Sequence, residues 1–140
     1  MLLLLSFSSF ACKEFTLGDT FPVEDFSDFS YILVVKIDST IHKESGYMGL
    51  VSFDAEVSEQ IKGDLNVGDK FSGKALREIA HAVCPVNLKD GESYLLLLNY
   101  QDNGYVLSRF SSPVSINNVR FSAYLEQVKN AYNKPFKQDK

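Results

Sequence analysis

The central part of the chain carries the pattern that most limits the fold, because its hydrophobic side chains follow strand periodicity. Alternation is clearest over residues 51–61, where apolar side chains at odd positions alternate with polar ones. This alternation is typical of a β-strand with one buried and one solvated face. Two further runs, 31–37 and 93–100, are largely apolar without alternation. They predict strands that are buried on both faces.

Turn residues separate these runs and indicate two more strands. Lys62-Gly63-Asp64 ends the alternating strand, whose length predicts a bulge or bend within it. A third strand is predicted over 70–75, with Gly73 as the site of a β-bulge. Residues 101–104 include Asn-Gly, a strong hairpin signal, and lead to a fifth strand over 105–110.

Hydrophobic spacing becomes helical after Pro113. Asn117 or Asn118 is the predicted N-cap, and Pro135 ends the helix. The predicted apolar face consists of Val119, Ala123, Leu125, Val128 and Tyr132. Five strands with turn-rich connections and one closing helix predict a mainly β protein, a five-stranded Greek-key barrel of OB-fold type with a C-terminal α-helix.

Size and charge restrict the class of partner. The 140 residues suit one domain, and 45% hydrophobic with 23% charged residues is the composition of a globular protein rather than a disordered tail. The formal net charge is −4, and no basic cluster is present. We therefore expect no nucleic-acid partner. The protein is also expected to be a monomer.

The first eleven residues are uncharged and apolar. They are too few for a membrane-spanning helix, which needs about 20. Ser9 and Ala11 suit a signal-peptidase site, so residues 1–11 are interpreted as a signal-peptide remnant that leaves Cys12 as the mature N-terminus. A charged segment does not precede the apolar one, and we expect the natural start to lie upstream of Met1. The alternative is that this segment forms the first strand or helix of the domain.

This interpretation gives a single domain over residues 12–134, followed by a polar tail over 135–140. It places the protein outside the cytoplasm, as a secreted, periplasmic or cell-envelope surface protein without a membrane span. Cys12 and Cys84 are the two cysteines. Cys12 either forms a disulfide bond with Cys84 or carries a lipid, as in a lipoprotein. Both modifications use the same sulfur, so they exclude one another.

Residue patterns for catalysis or metal binding are weak. His42 and His81 are the only histidines, and neither belongs to a cluster with metal-ligand spacing. Asp54 and Glu56 share one face of the alternating strand, where a solvated face explains them better than a catalytic pair. We therefore predict a protein that is not an enzyme and has no cofactor and no metal site. Four aromatic residues have two interpretations: Tyr94, Tyr100, Tyr105 and Phe110. Packing in the core and across the hairpin is favoured over a stacking surface for bases or sugars.

The order of several motifs resembles a known family. These motifs are Cys12 after the signal segment, Phe26 ahead of the apolar strand Tyr31–Lys36, the strand end Ile61-Lys-Gly-Asp64, Cys84, and the strand entry Gly91-Glu-Ser-Tyr-Leu-Leu96. From Cys12 to about Ser112, the chain resembles the netrin-like domain, the fold of the tissue inhibitors of metalloproteinases. The resemblance implies a netrin-like OB-fold domain.

The same resemblance implies a site and a partner. The N-terminal cysteine of such inhibitors is bridged to a later cysteine, which implies a Cys12–Cys84 disulfide. Its free α-amino nitrogen and carbonyl oxygen chelate the catalytic zinc of a protease and displace the bound water. Cys12 would then be the zinc-chelating residue, Lys13 would enter the specificity pocket, and the partner would be a zinc metalloprotease.

Three positions depart from the pattern of these inhibitors. Glu14 and Ser27 occupy positions at which the inhibitors have cysteines. Lys13 occupies a position at which the inhibitors have a small hydroxyl residue. Burying a lysine charge in an apolar pocket is costly. The alternative function is therefore an envelope lipoprotein or interaction module of OB-fold type, without inhibitor activity. A lipidated Cys12, with its amine acylated, cannot chelate zinc.

Overall fold

The computed structural model describes residues 26–45, 48–78, 88–107 and 113–133. Within these ranges a short 3-10 helix precedes six strands and one α-helix. The elements are the 3-10 helix Phe26–Asp28, β1 (Tyr31–Ser45), β2 (Met48–Lys62), β3 (Lys70–Glu78), β4 (Ser93–Gln101), β5 (Gly104–Leu107), β6 (Val114–Ser115) and α1 (Phe121–Asn133).

Five of the strands close a barrel. The order is β1-β2-β3-β5-β4, and β4 pairs back onto β1. All of these pairings are antiparallel except β3–β5, which is parallel. Three consecutive strands followed by a fourth that returns beside the first form a Greek key. The predicted mainly β architecture, an OB-type barrel with a C-terminal helix, is therefore confirmed. The two-residue strand β6, which pairs with β4, was not predicted.

The barrel interior is filled by alternate side chains of the strands. On β2, Val51, Phe53 and Ala55 point inward and are almost fully buried, while Ser52 and Asp54 point outward. The predicted alternation is therefore confirmed. Other members of this core are Leu33, Val35, Ile37, Val57, Phe71, Ala75, Leu88, Tyr94, Leu96, Leu98 and Leu107.

A second core lies outside the barrel, where α1 covers the outer faces of β1 and β4. This core consists of Phe26, Phe29, Ile32, Val34, Leu95, Leu97, Val114, Phe121, Tyr124 and Val128. The continuous apolar runs follow from this cover, because both faces of each strand lose contact with water. Burial on both faces, predicted for these two strands, is confirmed.

Strand bulges bend the β1–β2 pair. The register shifts where Ser58 and Ile61 of β2, and Asp38 of β1, have no opposite partner. A bulge in the long alternating strand is thus confirmed. Pairing of β1 with β4 ends at Lys36, whereas its pairing with β2 continues to Ser45. Strand β1 is therefore longer than predicted, because the β1–β2 hairpin extends past the end of β4.

Gly73 is not a bulge, contrary to the prediction. The β2–β3 pairing runs through it without a register shift. A Cβ atom at this position would lie 2.4 Å from Cζ of Phe53, far inside contact distance. The glycine is needed because the Phe53 ring packs over the bare backbone of the neighbouring strand.

The buried face of α1 also differs from the predicted one. Val119 is 98% exposed, and Tyr132 is half exposed. The face that packs on the barrel consists of Phe121, Tyr124 and Val128. Their spacing of three and four residues forms one stripe, whereas Val119 precedes the helix. The predicted cap is confirmed for the second asparagine, since the side-chain oxygen of Asn118 accepts a hydrogen bond of 2.9 Å from the backbone N–H of Arg120.

Candidate functional site

A groove crosses the outer face of β1, β2 and β3 and is bounded by the β4–β5 turn. Its volume of about 390 Å³ lies within the range of small-ligand sites. The lining includes six residues that lie on the outer face of these strands: Ser39, Ile41, Ser52, Asp54, Ser72 and Lys74.

Strand register places these side chains in two rows. Asp54 lies opposite Ser39 on one side and Ser72 on the other. The next outward-facing residue of β2, Ser52, lies between Ile41 and Lys74. The bulge at Asp38 sets this alignment, because one extra residue in β1 changes which of its side chains face outward. We call the first set, Ser39, Asp54 and Ser72, the central row.

The central row is held by hydrogen bonds. The Ser39 hydroxyl donates to Oδ2 of Asp54 at 3.1 Å, and the Ser72 hydroxyl donates to Oδ1. Each carboxylate oxygen is thus fixed by a different neighbouring strand. With their protons directed at Asp54, the two serine oxygens present lone pairs to the groove. The central row is therefore a fixed group of hydrogen-bond acceptors.

The β4–β5 turn forms the rim. Asp102 and Asn103 have φ angles of 51° and 59°, which is the geometry of a type I′ turn. Asn103-Gly104 supplied the sequence signal for this hairpin, and the hairpin is confirmed. Asp102, Asn103 and Gly104 all line the groove, so the turn adds a carboxylate and an amide beside the strand residues.

A row of ion pairs lies next to the groove. Lys70 Nζ is 3.6 Å from Asp38 and 3.8 Å from Glu56. All three side chains are well exposed, so these pairs contribute little to stability. Asp54 and Glu56 thus share a strand face, as predicted, but differ in their partners. Serine hydroxyls hold Asp54, whereas Glu56 faces a lysine.

Aromatic side chains close one end of the barrel. The ring of Tyr105 packs 5.1 Å from Tyr31 and 5.0 Å from Phe71, measured between centroids. A hydrogen bond with Asp64, followed by burial, raises the pKa of Tyr31 to about 12. Tyr100 packs edge-on against Tyr105 across the hairpin at 5.1 Å. Hairpin packing is therefore confirmed for Tyr100 and Tyr105.

Tyr94 is a core residue, as predicted. Its hydroxyl donates to Oε2 of Glu92 at 2.9 Å and accepts a bond of 3.0 Å from the backbone N–H of Lys89. Burial, followed by the bond to Glu92, raises the pKa of Tyr94 to about 12. Phe110, the remaining predicted aromatic, lies outside the described residues.

The site residues predicted from the N-terminus lie outside the described residues as well. These are Cys12, Lys13 and Cys84, together with segments 1–11 and 135–140. The disulfide, the lipid and the zinc chelation therefore stay predictions. His81 is also outside, while His42 is exposed on β1.

The described part of the chain shows neither a metal cluster nor a membrane-spanning helix. In that part, no group of three or more His, Cys, Asp or Glu side chains could hold a metal ion. Its single α-helix lacks the length and apolar character that crossing a membrane requires. Comparison of the whole chain with protein-family models and with curated proteins finds no match.

Sequence reasoning did not find Ser39 and Ser72 as functional candidates. They are ordinary polar residues, 33 positions apart in the sequence, and no motif joins them. A signal existed only for Asp54, whose outward direction follows from the alternation of β2. The bulge at Asp38 decides which β1 residue meets Asp54, and no residue pattern specified its position.

Proposed function

We propose that this protein is a non-enzymatic binding domain that holds its ligand in the groove on β1, β2 and β3. The observation that carries this proposal is the central row, in which two strands fix the carboxylate of Asp54 inside a concave surface. The face of the second and third strands, with the β1–β2 and β4–β5 loops, is where OB barrels bind oligonucleotides and oligosaccharides.

Preorganisation supports binding at this place. Ser39 and Ser72 hold Asp54 before any ligand arrives, so little side-chain entropy is lost when a ligand contacts it. Strands β2 and β3 below it are tied by pairing without a register shift, and the packed barrel interior lies behind them. The groove floor is therefore a rigid surface.

The surroundings of the two carboxylates favour binding over two-carboxylate catalysis. Such catalysis needs two acids whose environments drive their pKa values apart around one substrate. Glu56 pairs with Lys70 beside the groove, and Asp54 is held by hydroxyls within it. We accordingly assign Asp54 a binding role.

The experiment compares two matched variants against a fixed panel of probes. The panel contains three neutral hexasaccharides (cellohexaose, chitohexaose and maltohexaose), decalysine and a ten-nucleotide oligothymidylate. Ser52→Tyr fills the groove, while Ser58→Tyr makes the same change at an exposed site of the same strand. We expect calorimetry to detect at least one probe that binds to the Ser58→Tyr variant as it does to the unmodified protein. The same probe should bind to the Ser52→Tyr variant at least tenfold more weakly than to the unmodified protein. Absence of binding by the unmodified protein, or equal binding by both variants, contradicts the proposal.

A second candidate is inhibition of a zinc metalloprotease through Cys12 and Lys13. It is supported by the resemblance to the netrin-like domain and by the OB-type barrel, the fold which that resemblance implies. Its test is inhibition of a panel of metalloproteases by the mature protein, with Cys12→Ser and an N-terminally extended form as controls. Failure of the mature protein to inhibit at micromolar concentration excludes it.

We further propose that the protein acts as a monomer that is secreted, periplasmic or on the surface of the cell envelope. Intact mass with N-terminal sequencing tests the processing. A mature chain that begins at Cys12 with a free amine and a mass two hydrogen atoms below that of the reduced chain supports the Cys12–Cys84 bridge. An added fatty-acyl mass supports the lipoprotein alternative instead, and an uncleaved chain contradicts both.

A further inference from the structure

The hydrogen-bonding groups of the groove indicate which chemical class of ligand it binds. This inference rests on the proposed function. The central row presents acceptors to the groove, because both serine hydroxyls direct their protons at the oxygens of Asp54. A ligand that contacts this row must therefore bring donors. Hydroxyl, amide and ammonium groups qualify, whereas an unprotonated phosphate does not.

The rest of the groove presents donors. The ammonium group of Lys74 belongs to the second row, and the side-chain amide of Asn103 to the rim. Both can donate to an oxygen of the ligand. Acceptors and donors thus line the same groove. A hydroxyl group, which both donates and accepts, is complementary to such a surface.

Charge separates the candidate classes. Two carboxylates, Asp54 and Asp102, line the groove with one lysine. A polyanion such as an oligonucleotide would meet more negative than positive charge. A polycation would match this excess of negative charge, but it would leave the ammonium group of Lys74 without an acceptor. A neutral ligand encounters neither penalty, and its affinity does not depend on neutralising a charge.

Shape is consistent with an extended neutral ligand. Neighbouring strands lie about 4.8 Å apart, so the central row spans roughly 10 Å across three strands. Ile41 is 58% exposed in the adjacent row, which offers an apolar contact beside the polar groups. The C–H face of a sugar ring fits such a contact while its hydroxyls reach the central row.

We propose that the groove binds a neutral oligosaccharide, with vicinal hydroxyls donating to Asp54 and accepting from Lys74 and Asn103. Asp54 is the orienting acceptor. Changing it to an amide replaces one acceptor oxygen by a donor and breaks the symmetry of the central row, while leaving the size of the side chain unchanged.

The test is calorimetric titration of the full chain and its variants with the probe panel defined above. Asp54→Asn is compared with Glu56→Gln, which makes the same chemical change on the same strand face beside the groove. We expect at least one hexasaccharide to bind, Asp54→Asn to weaken that binding about tenfold or more, and Glu56→Gln to change it less than twofold. Thermal melts of both variants, expected to match the parent, show that folding is retained.

Three results overturn the inference and are distinguishable. If decalysine or oligothymidylate binds in a manner sensitive to Ser52→Tyr, and the hexasaccharides do not bind, the groove is a site but the ligand class is wrong. If no probe shows sensitivity to Ser52→Tyr, the proposed function fails together with the inference. Equal loss of hexasaccharide binding in Asp54→Asn and Glu56→Gln also contradicts the role of Asp54.

Discussion

The docking of α1 on the barrel predicts a large difference between two identical substitutions. Val128 has 0% exposed surface in the outer core, whereas Val119 is 98% exposed just before the helix. Each valine-to-alanine change removes two carbon atoms. Only at Val128 are these atoms buried against β1 and β4, so only there should the free energy of unfolding fall substantially.

The size of the effect follows from burial. Two buried carbons contribute about 1.6 kcal/mol at about 0.8 kcal/mol each, and an unfilled cavity adds up to about 1 kcal/mol. Alanine favours the helix over valine by about 0.5 kcal/mol, which offsets part of this loss. Val128→Ala should therefore lower the free energy of unfolding by about 2 kcal/mol, and Val119→Ala should change it by less than about 0.5 kcal/mol.

Urea unfolding measures both changes. Far-ultraviolet circular dichroism is the first probe, and tyrosine fluorescence is the second, because the chain has no tryptophan. With a slope of about 2 kcal/mol per molar urea, Val128→Ala should lower the midpoint by about 1 M. If Val119→Ala costs as much as Val128→Ala, the helix does not pack on the barrel through the face described above.

Three further predictions concern the barrel core and the start of the helix. Because the pKa of Tyr94 is about 12 rather than 10.0, the folded state keeps a proton that the unfolded chain loses above pH 10. The free energy of unfolding should therefore fall between pH 10 and 12, and urea midpoints across that range measure the fall. The fall should be less steep in Tyr94→Phe, in which the raised pKa of Tyr31 accounts for what remains. An equal slope in the two proteins contradicts this prediction. Gly73→Ala should cost about 1–3 kcal/mol because its Cβ meets Phe53, and Phe53→Leu in the same chain should recover part of that loss, whereas purely additive costs would show that no clash exists. Asn118→Ala should cost about 1 kcal/mol and Asn118→Asp much less, and equal stability of the three forms would refute the cap.

Much of the barrel follows from local patterns. The alternation of β2 determined which of its side chains enter the barrel, and the Asn-Gly signal located the β4–β5 hairpin. The uninterrupted leucines of β4 indicated burial on both faces, and α1 provides the outer cover. These predictions succeeded because strand periodicity and turn conformation are properties of short segments.

Predictions that depended on tertiary packing failed. Gly73 was expected to form a bulge because glycine within a strand often does, but the Phe53 ring on the next strand is the reason for it. The helix face was predicted in part: Val128 and Leu125 pack in the outer core, but Val119 and Tyr132 do not, and Phe121 and Tyr124 were missed. The surface of β1 and β4 decides which stripe of the helix packs against it. The helix sequence alone carries no information about that surface.

The groove was the least predictable feature. Ser39 and Ser72 become meaningful only when register places them on either side of Asp54. That register depends on the Asp38 bulge, a one-residue shift that reverses which side chains face outward. Local sequence patterns therefore predict the barrel better than they predict its binding face.

The most direct test of the central claim is a map of backbone amide chemical shifts during titration with the hexasaccharides. The account predicts that the largest changes occur at Ser39, Asp54, Ser72 and Asn103, across three strands and the β4–β5 turn, with little change in α1. Changes confined to α1 or to the N-terminal residues around Cys12, or no change at saturating hexasaccharide, would contradict a ligand site in the groove.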